Sequence, residues 1–511
     1  MISTIYFNKL HPTQAIPERQ YHISLVMKYR NIILSIGIFL ICLTACVSNS
    51  IPFDSSGANA VITIDTNTRY QYVRGFGGMD VGWGNFPRTS AKDTELMYNP
   101  DTGLGLNILR IMIMPGNTDI NITMKDLVSS DRPDYYENVK IVNKYGGYVL
   151  ASPWTPPAEW KSNKSNNSRG EGRLLKAHYR DYANYLKSFA QNMLQNGAPI
   201  YAVSIQNEPN YDVDYDGCLW SPYEMRDFFK QTGRFTEGVR GQGGGKEIPY
   251  VLTMNGESAN HPNINDIALG DPQSRAAIDL IGRHTYGNRQ QRYALALDHT
   301  TDPKEVWMTE NNINSGHDQG HLDWTWNYVW KLMNDIDLSI RLNHESAYIW
   351  WAAKRFYSFI GDGRNGNTEG AILPRGYAIS QYAKFAKETY RVKLTAAGRT
   401  AAGEDITSDN FNNSNYNGNA VTARATAFVS PDGNTISVVM FTPTSLLGTE
   451  GVNMGKVKIQ LPKDFIIREA VAMRSSNGKY AVSEDVEIIE GRTSALVSLP
   501  ASNIVSIRFT K

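Results

Sequence analysis

The chain has 511 residues, with 51 Lys and Arg against 50 Asp and Glu and a formal net charge of +1. This balance, without a basic cluster, argues against a nucleic-acid partner. Three cysteines cannot provide a disulfide framework for a chain of this length, so its stability must come from apolar burial in a large core.

The first 46 residues predict a leader for export. Two basic residues precede an apolar run at 32–43, which is shorter than the roughly 20 residues of a membrane-spanning helix. The run leads into Leu43-Thr-Ala-Cys46, the pattern of a bacterial lipoprotein signal, in which the cysteine becomes the lipidated N-terminus. A plain secretory signal is the alternative, and both export the protein. Met27 directly precedes the basic residues, which favours a translation start there, and Val47 is compatible with sorting to the outer membrane of a Gram-negative bacterium.

Residues 72–391 alternate strand-like apolar runs with helix-like stretches, the pattern of α/β folds with parallel strands. One helix is predicted at 178–196, where apolar side chains recur at helical spacing. Eight strands within this stretch predict a (β/α)8 TIM barrel. The predicted strands are 73–80, 107–114, 147–154, 202–208, 250–255, 279–286, 305–310 and 347–354.

The texture changes from residue 392 to the C-terminus, where short strands with alternating apolar residues are separated by turns. We predict an antiparallel β-sandwich side domain over 392–511. Residues 47–71 are predicted to be a linker followed by a first strand of the same domain, since the run 59–65 alternates in the same way. The side domain would then be built from both ends of the chain. An Asn-rich run at 410–419 predicts a surface loop.

Two glutamates follow apolar runs on different predicted strands, Glu208 in Val203-Ser-Ile-Gln-Asn-Glu-Pro209 and Glu310 in Val306-Trp-Met-Thr-Glu-Asn311. The strand ends of a TIM barrel carry its catalytic groups, so both side chains would face one mouth. Two carboxyl groups about 5 Å apart provide an acid/base and a nucleophile for hydrolysis of a glycosidic bond with retention. Either glutamate alone could instead cap a helix or lie on the surface.

The neighbours of Glu208 favour the acid/base role. Asn207 can hydrogen-bond the 2-hydroxyl of a sugar, a contact that strengthens in the transition state. Pro209 ends the strand, because proline has no N–H for the sheet. Glu310 is then the nucleophile.

Four dispersed motifs resemble glycoside hydrolase family 30. They are Leu150-Ala-Ser-Pro-Trp-Thr-Pro-Pro157, Ile205-Gln-Asn-Glu-Pro-Asn-Tyr211, Gly217-Cys-Leu-Trp-Ser-Pro222 and Trp307-Met-Thr-Glu310. The xylanase branch, subfamily 8, is the most similar branch, and the resemblance extends over nearly all of the chain after the leader. It implies a TIM barrel with a split β-domain. It also implies that Glu208 is the acid/base and Glu310 the nucleophile.

The resemblance further implies a binding pair for the 4-O-methylglucuronate branch of xylan, an Arg and a Tyr just past the eighth strand. Arg355 and Tyr357 occupy this place, and a planar guanidinium can hold a carboxylate with two parallel hydrogen bonds. A structural Arg paired with a barrel carboxylate is the alternative. The sequence departs from the family pattern at Ala352-Ala353 and in a Gly-rich loop at 359–371, which bears on branch recognition more than on hydrolysis.

The 10 Trp and 28 Tyr fit sugar binding, because an aromatic face packs against the apolar face of a pyranose ring. One of Trp350 and Trp351 should face the cleft, since adjacent strand residues point to opposite sides. Core packing is the alternative for each aromatic candidate, and His284 either lines the site or is structural. The other candidates for substrate binding are Trp83, Trp154, Tyr211 and Tyr286.

No His or Cys cluster has metal-ligand spacing, and Gly243-Gly-Gly-Lys246 lacks the rest of a phosphate loop, so no metal or cofactor is expected. The residues and the resemblance together predict a monomeric, lipid-anchored, retaining endo-β-1,4-xylanase that cuts glucuronoxylan. Two alternatives stay open: another family 30 enzyme acting on β-1,6-glucan or a β-glucosidic substrate, and a non-catalytic surface glycan-binding lipoprotein. The intact pair Glu208 and Glu310 argues against the second, because a pure binder does not need two opposed carboxylates.

Overall fold

The computed structural model describes residues 57–82, 86–115, 135–244, 246–259, 262–286, 290–313, 324–406, 412, 423–444 and 451–511. The predicted leader with Cys46, the candidate Trp83 and most of the predicted loop at 410–419 lie outside the described residues. Within the described ranges, no helix is both long enough and apolar enough to cross a membrane.

The described strands are β1 Ala60–Val73, β2 Gly75–Met79, β3 Ile108–Ile113, β4 Tyr148–Pro153, β5 Ala202–Ser204, β6 Gly241–Gly243, β7 Lys246–Ile248, β8 Leu252–Met254, β9 Leu280–His284, β10 Glu305–Asn311, β11 Ala347–Trp350, β12 Thr389–Gly398, β13 Arg424–Val429, β14 Thr435–Phe441, β15 Gly455–Gln460, β16 Glu469–Ser476, β17 Lys479–Glu484, β18 Glu487–Ile489, β19 Ser494–Leu499 and β20 Ile504–Thr510. The described α-helices are α1 Ala91–Tyr98, α2 Tyr135–Lys144, α3 Tyr179–Gln195, α4 Pro222–Thr232, α5 Asp266–Gly270, α6 Pro272–Ala277, α7 Ala294–Leu297, α8 Val329–Asp337 and α9 Pro374–Phe385. A π-helix at Leu338–Asn343 continues α8.

Eight parallel strands close into a barrel in the order β2-β3-β4-β5-β8-β9-β10-β11. This confirms the predicted TIM barrel, and each observed strand overlaps its predicted range. Strands such as β3, β4 and β9 are buried along their whole length, because the barrel interior lies on one face and the helices cover the other. Apolar residues therefore follow one another without alternation, for example Ile111-Met-Ile113 in β3 and Tyr148-Val-Leu-Ala151 in β4.

The helices bury the apolar stripes that their spacing predicts. Helix α3 packs Tyr182, Leu186 and Phe189 against the barrel and lies within the range predicted for it. Helix α4 begins at a capping box, in which Ser221 and Glu224 each accept a hydrogen bond from the other's backbone N–H. This cap fixes the end of the loop that follows Glu208.

The C-terminal strands and β1 form one sheet of ten strands, in the order β17-β16-β20-β14-β13-β12-β1-β15-β19-β18. Its neighbours are antiparallel except β1 and β15, which pair in parallel. One face encloses a shared apolar cluster to which both halves of the strand order contribute, for example through Ile62, Ile459 and Ile507. The predicted sandwich-type side domain, built from both chain ends, is thus confirmed.

The boundaries of this domain differ from the predicted 47–71 and 392–511. Strand β1 continues to Val73 and β12 begins at Thr389, with these two residues opposite each other in the register. Half-exposed side chains fill the second half of β1, so alternation of apolar residues did not mark its end. The barrel strands begin directly after it, at Gly75.

The second face of the ten-stranded sheet packs against the barrel. Phe428, Val439 and Ile504 belong to the same apolar cluster as the outer faces of the barrel strands. Helix α9 lies at this junction and contacts β14 and β20 on one side and β2 on the other. Barrel and side sheet therefore share one continuous core.

Candidate active site

Glu208 lies four residues past the end of β5, in a segment that backbone hydrogen bonds hold in place. The N–H of Asn207 donates to the carbonyl of Pro153 at 2.8 Å, and the N–H of Glu208 donates to the carbonyl of Glu257 at 2.9 Å. Glu208 has a φ of 44°, in the left-handed region that a non-glycine residue adopts only where its surroundings impose it. This turn takes the chain out of the extended path of the strand at the mouth of the barrel.

Glu310 lies near the end of β10, with both carboxylate oxygens hydrogen-bonded. Arg110 Nη1 donates to its Oε2 at 2.6 Å, and the Tyr286 hydroxyl donates to its Oε1 at 2.9 Å. The Glu310 side chain is only 9% exposed. Two donors from different parts of the barrel thus fix this carboxylate in one orientation beside a full positive charge.

Arg110, on β3, connects several side chains of the site and is fully buried. Its Nη2 donates to Asn207 Oδ1 at 2.7 Å and lies 3.0 Å from Glu257 Oε2. The guanidinium also lies over the ring of Trp154, 4.9 Å from its centroid. Burial alone would lower the pKa of Arg110, but the charges of Glu257 and Glu310 raise it.

Glu257 and His284 are two buried titratable groups with strongly shifted pKa values. Burial alone would raise the pKa of Glu257, but the charges of Arg110 and His284 lower it to about 2. Burial alone would lower the pKa of His284, but Glu310, Glu208 and Glu257 raise it to about 9. His284 Nδ1 lies 2.9 Å from Glu208 Oε1. At neutral pH the site therefore holds Glu257 as a carboxylate and His284 as an imidazolium that donates to Glu208.

The two glutamates lie within the distance that retention requires. A carboxylate oxygen of Glu208, one of Glu310 and a ring nitrogen of His284 all lie within 4.8 Å of one another. Retaining glycosidases separate their carboxyl groups by about 5–5.5 Å, whereas inverting enzymes need roughly 6.5–9.5 Å to admit a water. The arrangement therefore suits a nucleophile and an acid/base acting on the same anomeric centre.

The same three groups carry donor atoms that could ligate a metal ion. The guanidinium of Arg110 lies 2.6 Å from Glu310, however, and its positive charge opposes a cation at this place. We therefore assign this cluster to acid/base chemistry.

A cleft of about 400 Å³ opens over the two glutamates. Tyr211 and Tyr215 extend its wall and are 53% and 39% exposed. The ring of Tyr286 also faces the cleft, while removal of its hydroxyl from water and the charges of the two glutamates raise its pKa well above the ordinary value. The lining residues are Phe86, Trp154, Asn207, Glu208, Tyr211, Tyr215, Ala259, Tyr286, Glu310 and Trp351.

Trp350 does not face this cleft. Its side chain is fully buried and packs between the guanidinium of Arg375, 5.3 Å from the ring centroid, and the ring of Phe359. Trp351 points the other way and lines the cleft, as the alternation of side chains along a strand requires. Trp350 is therefore removed from the candidates for substrate binding.

Arg355 and Tyr357 are both buried and are not among the described residues that line the cleft. The Arg355 side chain is 3% exposed, and its Nε lies 4.0 Å from Asp362 Oδ2. Its guanidinium packs against the ring of Phe86, 4.7 Å from the centroid. Tyr357 is 4% exposed and packs edge-on against Phe356. The carboxylate-binding role expected for Arg355 and Tyr357 stays a prediction, because neither side chain is among the described residues that line the cleft.

Sequence reasoning missed Arg110, Glu257 and the wall residues Phe86 and Tyr215. Arg110 had a signal, since it is the one charged residue in the apolar run Ile108-Leu-Arg-Ile-Met-Ile113. Glu257 also had one, because it comes just after a predicted strand at 250–255, and Glu208 likewise lies at the end of a predicted strand. Phe86 and Tyr215 come from loops, where no periodic pattern indicates which side chain turns toward the cleft.

The chain is similar to known proteins both in sequence and in fold. Residues 91–342 match the sequence profile of the family described as "Glycosyl hydrolase family 30 TIM-barrel domain". The chain is 28% identical over 340 residues to "Glucuronoxylanase XynC" of Bacillus subtilis strain 168, which covers 64% of this chain and 70% of that protein. It is 24% identical over 264 residues to lysosomal acid glucosylceramidase of Mus musculus, covering 46% of this chain and 50% of that protein. The fold is similar to that of a family 30 subfamily 8 xylanase from Clostridium acetobutylicum, with a TM-score of 0.67, 24% identity, and coverage of 88% of this chain and 99% of that one.

Proposed function

We propose that the protein is an endo-β-1,4-xylanase. Its barrel belongs to glycoside hydrolase family 30, whose members are retaining enzymes with two catalytic glutamates. Glu310 is the nucleophile in this proposal and Glu208 is the acid/base. The observation that carries it is the pair of carboxylates within 4.8 Å of each other in an aromatic cleft. The family predicted from the sequence motifs is confirmed, and so is the prediction of an enzyme rather than a binder.

In the first step Glu310 attacks the anomeric carbon while Glu208 protonates the leaving oxygen, and a covalent glycosyl-enzyme forms. Arg110 and the Tyr286 hydroxyl hold the two oxygens of Glu310, which orients the carboxylate before the substrate arrives. The negative charge of Glu310 is consumed in the new bond. The charge of Arg110 then remains compensated by Glu257, 3.0 Å away.

In the second step Glu208 takes a proton from water, and the water attacks the glycosyl-enzyme. His284 donates to Glu208 at 2.9 Å and so stabilises the carboxylate present between the two steps. Asn207 accepts from Arg110 through Oδ1, which leaves its amide N–H groups to donate to the 2-hydroxyl of the sugar.

Two observations support xylan as the substrate. One is the likeness over 340 residues to a protein named a glucuronoxylanase. The other is the aromatic surface of Tyr211 and Tyr215, on which further sugar units of a chain can stack, as an endo-acting enzyme requires. The proposed substrate is the xylan main chain, with or without its glucuronate branch, because Arg355 packs against Phe86 and is not among the described residues that line the cleft.

Product analysis tests this proposal. Glucuronoxylan, debranched arabinoxylan, β-1,6-glucan and an aryl β-glucoside are incubated with the enzyme at equal concentrations. We expect xylo-oligosaccharides of mixed length from both xylans and no product from the others. The likeness to a glucosylceramidase favours a second candidate, a β-glucosidic substrate. Release of glucose from β-1,6-glucan or the β-glucoside, with neither xylan cut, would refute the proposed xylanase activity and favour the β-glucosidic substrate.

We also propose that the enzyme is exported and lipid-anchored through Cys46. The support is the signal pattern Leu43-Thr-Ala-Cys46 after a short apolar run. Two or three acyl chains on one cysteine are enough for stable membrane attachment. Mass spectrometry of the native protein should find a lipid-modified Cys46, and Cys46→Ser should release active enzyme into the soluble fraction. An unmodified N-terminus at another residue would contradict the anchor without touching the proposed hydrolysis.

A further inference from the structure

A second cavity, of about 300 Å³, lies at the junction of the side sheet and the barrel. It shares no lining residue with the cleft over Glu208 and Glu310. Its wall comes from β1, β12, β13 and the turn after the π-helix, and it includes Tyr70, His344 and Arg391. We name it the Arg391 pocket.

The Arg391 guanidinium is buried and held in one orientation. The residue is 6% exposed, and its guanidinium lies over the ring of Tyr70, 3.7 Å from the centroid. Its Nε donates to Gln71 Oε1 at 3.1 Å, and its Nη2 donates to His344 Nε2 at 3.0 Å. A guanidinium has five N–H groups. Within the part of the chain that the structure describes, Nη1 has no hydrogen-bond partner.

No carboxylate of the described residues pairs with Arg391. Asp337, whose charge acts on Arg391, pairs with Arg341 at 3.0 Å and lies 3.4 Å from Arg424 Nη1. It also accepts a hydrogen bond from the Thr426 hydroxyl. Burial lowers the pKa of Arg391 to about 10, and the charge of Arg341 contributes to the shift. A buried cation without a counter-charge is costly, so an anion in this pocket would stabilise the protein.

His344 is a neutral partner at physiological pH. Burial, followed by the charges of Arg391 and Arg292, lowers its pKa to about 4. Its unprotonated Nε2 is therefore free to accept the hydrogen bond from Arg391. The imidazole orients the guanidinium without adding a positive charge.

We propose that the Arg391 pocket binds the oxyanion group of a small ligand, either the carboxylate of a sugar acid or an inorganic oxyanion such as phosphate. A guanidinium offers parallel N–H donors that match two oxygens of such a group. Lys393, an exposed residue, also lines the pocket. A volume of about 300 Å³ is at the lower end for small-molecule sites, which suits one small group rather than a polysaccharide chain. The site is independent of the proposed hydrolysis.

Isothermal titration of the full chain with sodium glucuronate, sodium phosphate and neutral glucose tests the pocket. Labelled histidine side chains report the pKa of His344 by NMR in the same samples, which separates this pocket from the catalytic cleft. We expect at least one anion to bind and to raise the pKa of His344 above about 4, because a nearby anion stabilises the imidazolium. Glucose should do neither. Binding of phosphate but not of glucuronate identifies the ligand as an inorganic oxyanion. Binding of glucuronate but not of phosphate identifies it as a sugar acid.

Variants of Arg391 decide whether its guanidinium holds the anion. Arg391→Gln should weaken binding by about tenfold or more, and Arg391→Lys by less, because lysine keeps the charge and loses the planar fork. Arg180→Gln removes the same charge from an exposed residue elsewhere and should leave binding unchanged. If the glutamine variant does not fold, the lysine variant carries the test. The proposal fails if neither anion shifts His344, or if folded Arg391 variants bind like the wild type.

Discussion

The buried pair of Arg110 and Glu257 allows a quantitative test of the electrostatics of the site. Glu257 has no exposure and lies 3.0 Å from Arg110 Nη2. Arg110→Met leaves this carboxylate buried with His284, at 3.9 Å, as its positively charged neighbour among the described residues, so it should lower the free energy of unfolding by about 3–5 kcal/mol. Glu257→Gln should also destabilise, since it leaves Arg110 with one fewer counter-charge. The double variant removes both charges and should cost less than the sum of the single variants, by roughly 1–3 kcal/mol.

Urea denaturation of the four proteins at neutral pH, followed by circular dichroism, measures this coupling without requiring activity. The exposed pair Arg169 and Asp214 provides a matched control, with a similar separation of 2.9 Å and side chains that are 68% and 64% exposed. Its coupling should stay below about 1 kcal/mol, because water screens it. Equal coupling in the two cycles would refute the view that burial makes the central pair strong.

Three further predictions concern the cleft and its surroundings. Tyr286→Phe removes one hydrogen bond to Glu310 and should lower kcat/KM by about ten- to a hundredfold. This is the loss expected for a hydrogen bond of roughly 1.5–3 kcal/mol to a charged group. An unchanged kcat/KM would mean that the bond does not stabilise the transition state. His284 has a folded pKa of about 9 against an ordinary 6.5, so its contribution to stability is complete below pH 6.5 and is lost as the pH rises through 9. In His284→Gln the free energy of unfolding should therefore decrease less than in the wild type as the pH rises through 9, measured by urea titration at a series of pH values. An equally steep decrease in the variant would contradict the raised pKa of His284. Arg355→Ala should reduce activity on glucuronoxylan and on debranched arabinoxylan by the same factor, since Arg355 packs against the wall residue Phe86. A loss confined to glucuronoxylan would show that Arg355 binds the uronate branch.

The fold was predictable because its strongest signals are repetitive. Strand-like and helix-like runs alternate eight times, and each barrel strand falls close to its predicted range. The side domain was recognisable from alternation, yet its first strand extends to Val73 because half-exposed side chains hide its end. Where the periodic signal weakened, the predicted boundary was wrong by two or three residues.

The site was predictable only in part, because its contacts join distant parts of the chain. Glu208 and Glu310 lie at the ends of recognisable strands, whereas the partners that orient them come from β3, from β9 and from the segment after β9. Arg355 is a residue whose contacts the sequence did not predict. Its position past the last strand suggested a binding residue, but the placement of Asp362 and Phe86 around its guanidinium depends on loop packing that has no sequence period.

Azide rescue tests the central assignment of the two glutamates most directly. A small anion can enter the space left by a missing carboxylate and attack from that side. We predict that Glu310→Ala loses turnover of an activated aryl β-xyloside and regains part of it with azide, giving the α-xylosyl azide. Glu208→Ala should instead give the β-xylosyl azide, because the azide then attacks the glycosyl-enzyme from the opposite face. The reverse pattern of products, or wild-type turnover by Glu310→Ala without azide, would contradict the account.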